Sequence, residues 1–256
     1  KEGGVKLQAF ALFVYPSLTI EAQFVEILAQ VDHFYRSILE KNPKMRLIKK
    51  WSDLSTLQED EIGALLTLEG VDCIGNDLHK LTLLHQLGVR SIGLTWNGAN
   101  LAADGVAEPR NGGLTRFGRQ IISFNNEHQL FTDLSHLGEV SSLEALEVAE
   151  YPIASHSNVR AICDHRRNLS DRVIEALIAK GGMTHLVFYP HFVSQKGAVI
   201  EDLFPHIDHL LSLGGENHIG FGSDFDGIED KVEHLRHAGE YPNLIKALSN
   251  RYGVER

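Results

Sequence analysis

Apolar residues follow two periodicities along this chain. Short runs that are apolar at almost every position alternate with longer stretches in which apolar residues recur every three or four positions. The short runs cover residues 5–15 (VKLQAFALFVY, interrupted by Gln8), 63–70 (GALLTLEG), 90–97 (RSIGLTWN), 130–136 (LFTDLSH), 152–156 (PIASH), 183–190 (MTHLVFYP) and 218–224 (HIGFGSD). Runs of this kind fit strands buried on both faces. The helical stretches begin with residues 19–48, where Phe24, Ile27, Leu28, Val31, Phe34, Ile38 and Leu39 share a face and Asn42-Pro43 marks a stop or kink. Others cover 77–87, closed by Gly88, then 117–129, 170–180 capped by Ser170 and ended by Gly181-Gly182, 200–213 and 242–252. Residues 51–60 read as a loop and residues 157–163 as one or two helical turns.

Strands that alternate with helices predict a parallel sheet with right-handed crossovers. The 256 residues match the roughly 250 of one (β/α)₈ TIM barrel. Only seven strands are counted where a closed barrel needs eight, so the expectation is that a first strand precedes Lys1. The rival is an open doubly wound sheet, but no Gly-x-Gly-x-x-Gly follows the first run, which disfavours a dinucleotide-binding version. With no repeat, low-complexity tract or linker, residues 1–256 read as a single domain.

Composition narrows the class. A net charge of −10 argues against a surface that tracks nucleic-acid phosphates. Two cysteines, Cys73 and Cys163, are too few for a disulfide framework and point to a reducing, cytoplasmic setting. No apolar run nears the ~20 residues that span a bilayer, and the opening KEGGVKLQAF lacks a secretory pattern, so no membrane association is expected. The abrupt start before Gly3-Gly4 and the stop at LIKALSNRYGVER suggest a larger protein trimmed at both ends.

The strand ends carry Glu69, Trp96-Asn97, His136, His156, Tyr189 and Asp224. In a barrel these converge on one mouth. Two imidazoles and a carboxylate make a divalent transition-metal site, zinc first, and a carboxylate can bridge two such ions. Asp224 could carry a proton from water to a leaving amine. Taken singly, each residue has a plainer explanation. A strand-end histidine is an ordinary polar cap, Glu69 a helix N-terminus partner, Asp224 a cap in competition with Asp226, and Trp96 packing. Equivalent placement on successive strands is what favours the site. His206 and His209 lie on an outer helix face and read as solvated or structural, whereas His191 stands near the mouth. Arg166 reads as a surface ion pair. A guanidinium at Arg166 or Arg167 could hold a carboxylate bidentately.

Three stretches, DLSH, ASHSNVRAICDHRRN and HIDHLL…GENHIGFGSDFDG followed by YPNLI, resemble the renal (membrane) dipeptidase family of metallopeptidases among the amidohydrolase-like metal barrels. The resemblance covers nearly the whole chain. It implies a (β/α)₈ barrel with two zinc ions that hydrolyses dipeptides through a metal-bridging hydroxide. Residue by residue, it implies that Glu69 bridges the metals and that His136 and His156 ligate the second one. Arg167 would hold the substrate carboxylate, Asp224 would transfer the proton, and Tyr189 and Gly227 would line the substrate pocket. A homodimer is suggested by the resemblance alone.

Two departures stand out. The family's first metal is held by a His-x-Asp pair on the first strand, and no such stretch precedes GGVKLQAF. Residues 1–256 would then fully ligate at most one zinc ion, with weak occupancy and lost hydrolysis if that strand is absent. The family's animal members also carry a substrate-contacting histidine where this chain has Trp96 in LTWN, which implies a pocket of different polarity. The expected function is therefore a zinc-dependent dipeptidase. The alternatives are a related metal-barrel hydrolase of another amide, ester or lactone, and a non-catalytic binding homologue lacking the first metal.

Overall fold

The computed structural model describes residues 3–253. By its internal contacts the chain forms two compact units, one of residues 6–151 and one running from Pro152 onward together with residues 3–5.

In the first unit, strand β3 (Ile62–Glu69) is the centre. Strand β1 (Leu7–Leu12) pairs with it in parallel from Gly63 to Leu68. Strand β4 (Val89–Gly93) pairs with it over Leu66–Glu69 and is followed by β5 (Phe131–Asp133), also parallel. The register sets Glu69 beside Gly93 and Gly93 beside Asp133, so the chemistry-bearing ends of three strands lie level. Ala64, Leu66 and Leu68 are buried, as the near-continuous apolar run requires.

A further strand, β2 (Met45–Leu47), flanks the start of β3. The sequence periodicity assigned these residues to a helix running on to Ile48. The helix instead stops earlier. Helix α1 (Ile20–His33) is capped by Thr19, whose hydroxyl accepts from the Ala22 N–H, and buries Ile27 and Val31. It widens into a π-helical segment over Phe34–Leu39 and ends at Asn42-Pro43. Three residues with charged Arg46 in the middle give too short a pattern to read as a strand. β2 lies beside only the first three residues of β3. The expected loop at 51–60 contains a 3₁₀ helix, Trp51–Thr56. Helices α2 (Leu78–Leu87) and α3 (Arg116–Glu127) fall where the periodicity placed them, Gly88 closes α2 at φ 114°, and α4 (Glu139–Val148) follows β5.

The second unit holds β6 (Pro152–Ala154), β7 (Met183–Leu186) and β8 (Ile219–Phe221), paired in parallel in that order. Helix α5 (Asp171–Ala179) and the short α6 (Pro190–Val193) flank β7. A 3₁₀ turn, Ile200–Leu203, leads into α7 (Phe204–Ser212), and α8 (Tyr241–Tyr252) closes the unit. Its core is Phe188, Val193, Leu203, Val232, Leu235 and Leu244. Each such side chain, once fully buried, contributes about 1.5–3 kcal/mol of transfer free energy.

Residues 157–163 contain one helical turn, in which the Val159 carbonyl accepts from the N–H groups of Ile162 and Cys163 at 3.2 and 3.1 Å. Asn158 ties its start to the end of β7: its side chain bonds both the N–H and the C=O of Val187, at 3.0 and 3.1 Å. One local reading is corrected here. Ser170 precedes α5, but its hydroxyl makes no cap bond and has no partner.

Candidate functional site

In the first unit the chain turns sharply just past β5. His136 sits at φ 71°, a left-handed conformation that strains a non-glycine residue. Two bonds to its carbonyl hold it there, from the Val106 N–H at 2.7 Å and the Thr95 hydroxyl at 3.3 Å. The turn aims the imidazole at the end of β3, where Nε2 lies 2.9 Å from Oε1 of Glu69. On the other side of the ring, Nδ1 is 2.8 Å from Oδ1 of Asn97. An amide oxygen only accepts, so the ring proton belongs on Nδ1, and Nε2 then turns a lone pair toward a carboxylate. Acceptor facing acceptor calls for a cation between them, either a proton or a metal ion. An imidazole nitrogen and a carboxylate, with a hydrogen-bonded partner fixing the ring, are the donor set of a divalent transition-metal site. Both side chains are largely buried, His136 at 8% exposure and Glu69 at 23%.

Trp96 also belongs to this cluster. Its ring centroid lies 6.2 Å from that of His136, 5.4 Å from Phe13 and 5.6 Å from Tyr15. Gly70, directly after Glu69, allows the close packing: a Cβ there would come within 3.2 Å of the Trp96 nitrogen and of an Asp72 carboxylate oxygen. Asn97 and Tyr15 are contributors that sequence reasoning did not single out. Asn97 stood at a named strand tip, but nothing in its spacing marks it as the partner of a histidine forty residues on.

The second unit carries the remaining expected residues. His156 follows β6 by two residues, and its Nδ1 is 2.7 Å from the Ser155 hydroxyl. Arg167 is buried to 6% exposure. Its Nη2 donates to the His156 carbonyl at 3.3 Å, and its guanidinium lies over the Phe192 ring at 5.5 Å. His165 stacks on Phe192, with centroids 4.4 Å apart, and accepts the Arg167 N–H at Nδ1. Burial, aided by the neighbouring Arg167, pushes the His165 pKa down. Tyr189 meets Phe192 edge-on at 4.7 Å, so Tyr189 and Arg167 flank one ring. His165 lay inside the ASHSNVRAICDHRRN stretch without a role assigned to it, and Phe192 had no signal in the pattern.

Asp224 sits at φ 57° in a turn where the Gly227 N–H donates to its carbonyl at 3.1 Å. A Cβ on Gly227 would come 2.3 Å from the Asp224 carboxylate, so glycine is what lets that turn close over Asp224. No helix starts at Asp226, which is exposed and caps nothing.

Several other histidines are absorbed by structure. His206 is fully buried and plays the structural one of its two expected roles. Its Nδ1 accepts from the Val159 N–H at 3.1 Å and its Nε2 donates to the Val193 carbonyl at 2.9 Å. It also begins the His-x-Asp triplet of residues 206–208, whose aspartate bonds Arg251 and Tyr252, so that triplet is no ligand pair. His209 pairs with Asp171 at 2.9 Å, and His191 pairs with Asp230 at 3.0 Å on the surface. Arg166 contributes its carbonyl to Arg160.

Comparison with known proteins gives the class. A family model for membrane dipeptidases (peptidase family M19) matches residues 1–256, and the chain belongs to that family. A dipeptidase of Aspergillus oryzae, aclJ, is 35% identical over 74% of this chain and 46% of its own length. An uncharacterized dipeptidase of Schizosaccharomyces pombe is 30% identical over 98% of this chain and 65% of its own. The chain thus spans about half to two thirds of the length of these curated relatives. Among solved structures, dipeptidase AC, a metallopeptidase of family M19, superposes with a TM-score of 0.90 at 28% identity, covering 98% of this chain and 80% of that one. A metallopeptidase from Rhodobacter sphaeroides, liganded with a phosphinate mimic of the dipeptide L-Ala-D-Ala, has a TM-score of 0.90 at 26% identity, covering 98% and 82%. The α/β fold of parallel strands and flanking helices is the one those metallopeptidases have.

Proposed function

We propose that the protein is a zinc-dependent dipeptidase built on a single (β/α)₈ barrel domain. The observation that carries this is the Glu69–His136 pair, whose ring is fixed by Asn97, in a chain that matches the M19 family from end to end. Glu69, His136 and His156 each offer one ligand atom of the right kind and form the proposed ligand set for the second metal. Two zinc ions would supply Lewis acidity and an activated water. The first ion's His-x-Asp pair would come from the whole protein, as in its family.

The roles of the other residues follow from their chemistry. Arg167 holds the free carboxylate of the dipeptide, its guanidinium already ordered over Phe192. Asp224 takes a proton from the attacking water and delivers it to the leaving amine. Tyr189, Trp96 and Gly227 line the substrate's path. Neither thiol is needed: Cys73 and Cys163 are both free and buried, and burial pushes the Cys73 pKa up to about 12. Free thiols support a cytoplasmic setting. No described helix is long and apolar enough to cross a membrane. The partner is a dipeptide; a homodimer belongs to the same proposal.

The test is a panel of dipeptides with L- and D-residues at the C-terminus, assayed with the zinc-loaded full-length protein. Cleavage that chelation abolishes and zinc restores is expected, with Asp224→Asn losing about 10²- to 10⁴-fold in kcat. Failure to cleave any dipeptide, with turnover of a lactone or another amide instead, would overturn the proposal.

A further inference from the structure

Beyond the proposed metal ligands, the first unit exposes several large apolar side chains at the same end of its strands. Tyr15 is 64% exposed, Leu101 54%, Leu18 47% and Ile20 38%. All four belong to the loops that follow β1 and β4 or to the first residue of α1. Leu18, Ile20 and Leu101, with Pro16 and Val71, line a cavity of about 610 Å³. A cavity of that size is within the range of small-molecule sites, and the carboxylates of Glu21 and Asp72 share its lining with the apolar side chains. Its wall begins two residues after Glu69, since Val71 and Asp72 line it directly.

The cavity wall is held rigidly against the metal-ligand pair. The Asn100 amide donates to Asp72 at 3.0 Å and to the Leu94 carbonyl at 2.8 Å, which fixes the loop that carries Leu101. The Gln30 amide takes both backbone groups of Phe13, at 3.0 and 2.7 Å, which fixes the start of the loop that carries Tyr15. Between them stand three aromatic rings in edge or tilted contact, Phe13, Tyr15 and Trp96, and Trp96 continues to His136. Leaving so large an aromatic ring as Tyr15 in water forgoes about 25 cal/mol for each Å² of apolar surface. Ordered apolar surface beside a candidate metal ligand is suited to a substrate group.

We propose that the Phe13–Tyr15–Trp96 wall and the adjoining cavity form the subsite for a substrate side chain, and that the enzyme prefers dipeptides whose amino-terminal residue is bulky and apolar. This rests on the dipeptidase reading above. Trp96 replaces the polar group expected at this position with an indole face, so the subsite selects by apolar contact and shape. Asp72 on the same wall disfavours a second acidic group there.

The test compares kcat/KM of the zinc-loaded full-length enzyme for Gly-Ala, Leu-Ala, Phe-Ala and Asp-Ala. Phe-Ala and Leu-Ala should exceed Gly-Ala by at least about tenfold, the discrimination that a few buried methylenes supply, with Asp-Ala the poorest. Tyr15→Ser and Leu101→Asn, both at exposed positions, should each bring the Phe-to-Gly ratio below about threefold with the melting temperature unchanged. Trp96 gives a readout that does not need turnover: L-phenylalanine should alter the indole emission of the full-length protein, glycine should not, and the change should be lost in Trp96→Phe. Equal kcat/KM across the series, or a ratio that both variants leave intact, would overturn the subsite while leaving the dipeptidase reading in place. Absence of cleavage for all four, with the emission change present, would count against the dipeptidase reading and for the pocket. No emission change with L-phenylalanine would count against the pocket.

Discussion

A histidine held at φ 71° costs on the order of 1–3 kcal/mol in backbone strain, and such strain persists only where surrounding contacts over-determine it. At His136 those contacts are the two bonds to its carbonyl and the ring bond to Asn97. The carbonyl bonds set where the backbone points, and Asn97 sets which ring nitrogen faces Glu69. Asn97→Ala should therefore leave the fold intact and lower zinc affinity about 10- to 100-fold, the usual effect of removing a group that orients a ligand. Asn97→Asp, which still accepts from Nδ1, should restore most of it. Competition with a chromophoric chelator measures both. Equal affinity in all three proteins would mean that the Asn97 bond does not orient a ligand.

Among the elements, the loop after β4, residues 98–113, is tied down along its length by side-chain bonds. The Asp104 carboxylate accepts from Arg110 at 2.6 and 2.8 Å and from the Gly112 N–H at 2.6 Å, while its carbonyl accepts from Gly138 and Ser141. The Arg110 bonds, then the Gly112 bond, hold the Asp104 pKa below the usual carboxylate range. Arg110 is 67% exposed, so solvent screens this ion pair and discounts its contribution to stability. Asp104→Asn should cost about 1–2 kcal/mol at neutral pH, measured by urea denaturation. None of this was legible in a glycine-rich stretch, because the loop's order comes from side chain-to-backbone bonds that leave no periodicity. The strands were legible for the opposite reason: burial on both faces writes a continuous apolar run, as in Ala64–Leu68. Met45–Leu47 was not, being short, polar in the middle and directly after a helix whose pattern runs into it. Glu69, His136, His156 and Arg167 could be named from motif and strand-end position; Asn97 stood at a strand end and His165 within a motif, but their bonds to His136 and Arg167, and the place of Phe192 between rings, are written in no spacing.

At the scale of the whole molecule, acid should act in two separable steps. His206 is fully buried between two backbone groups, one donating to it and one accepting from it, and this fits only the neutral ring. Burial drives its pKa down; the bond to Val193 and the charge of Asp202 oppose this, and His209 adds to it. A histidine whose folded pKa is lowered binds more protons when unfolded. Its contribution is therefore complete above the unfolded value of about 6.5 and is lost as pH falls toward the folded value. His85 and His165, also lowered chiefly by burial, act in the same direction. Asp104 is a lowered carboxylate. Its contribution is complete above about 3.9 and is lost below that. Stability measured by urea denaturation should thus be level near pH 7–8, decline from about pH 6.5, and fall again below about pH 4. His206→Gln can keep one of the two backbone bonds but does not titrate. It should be less stable at pH 7.5 and show a shallower decline between pH 6.5 and 4.5, with the lower step unchanged. Asp104→Asn should soften only the lower step. An upper slope identical in the wild type and His206→Gln would show that the buried ring does not govern the first step, whatever its cost at neutral pH.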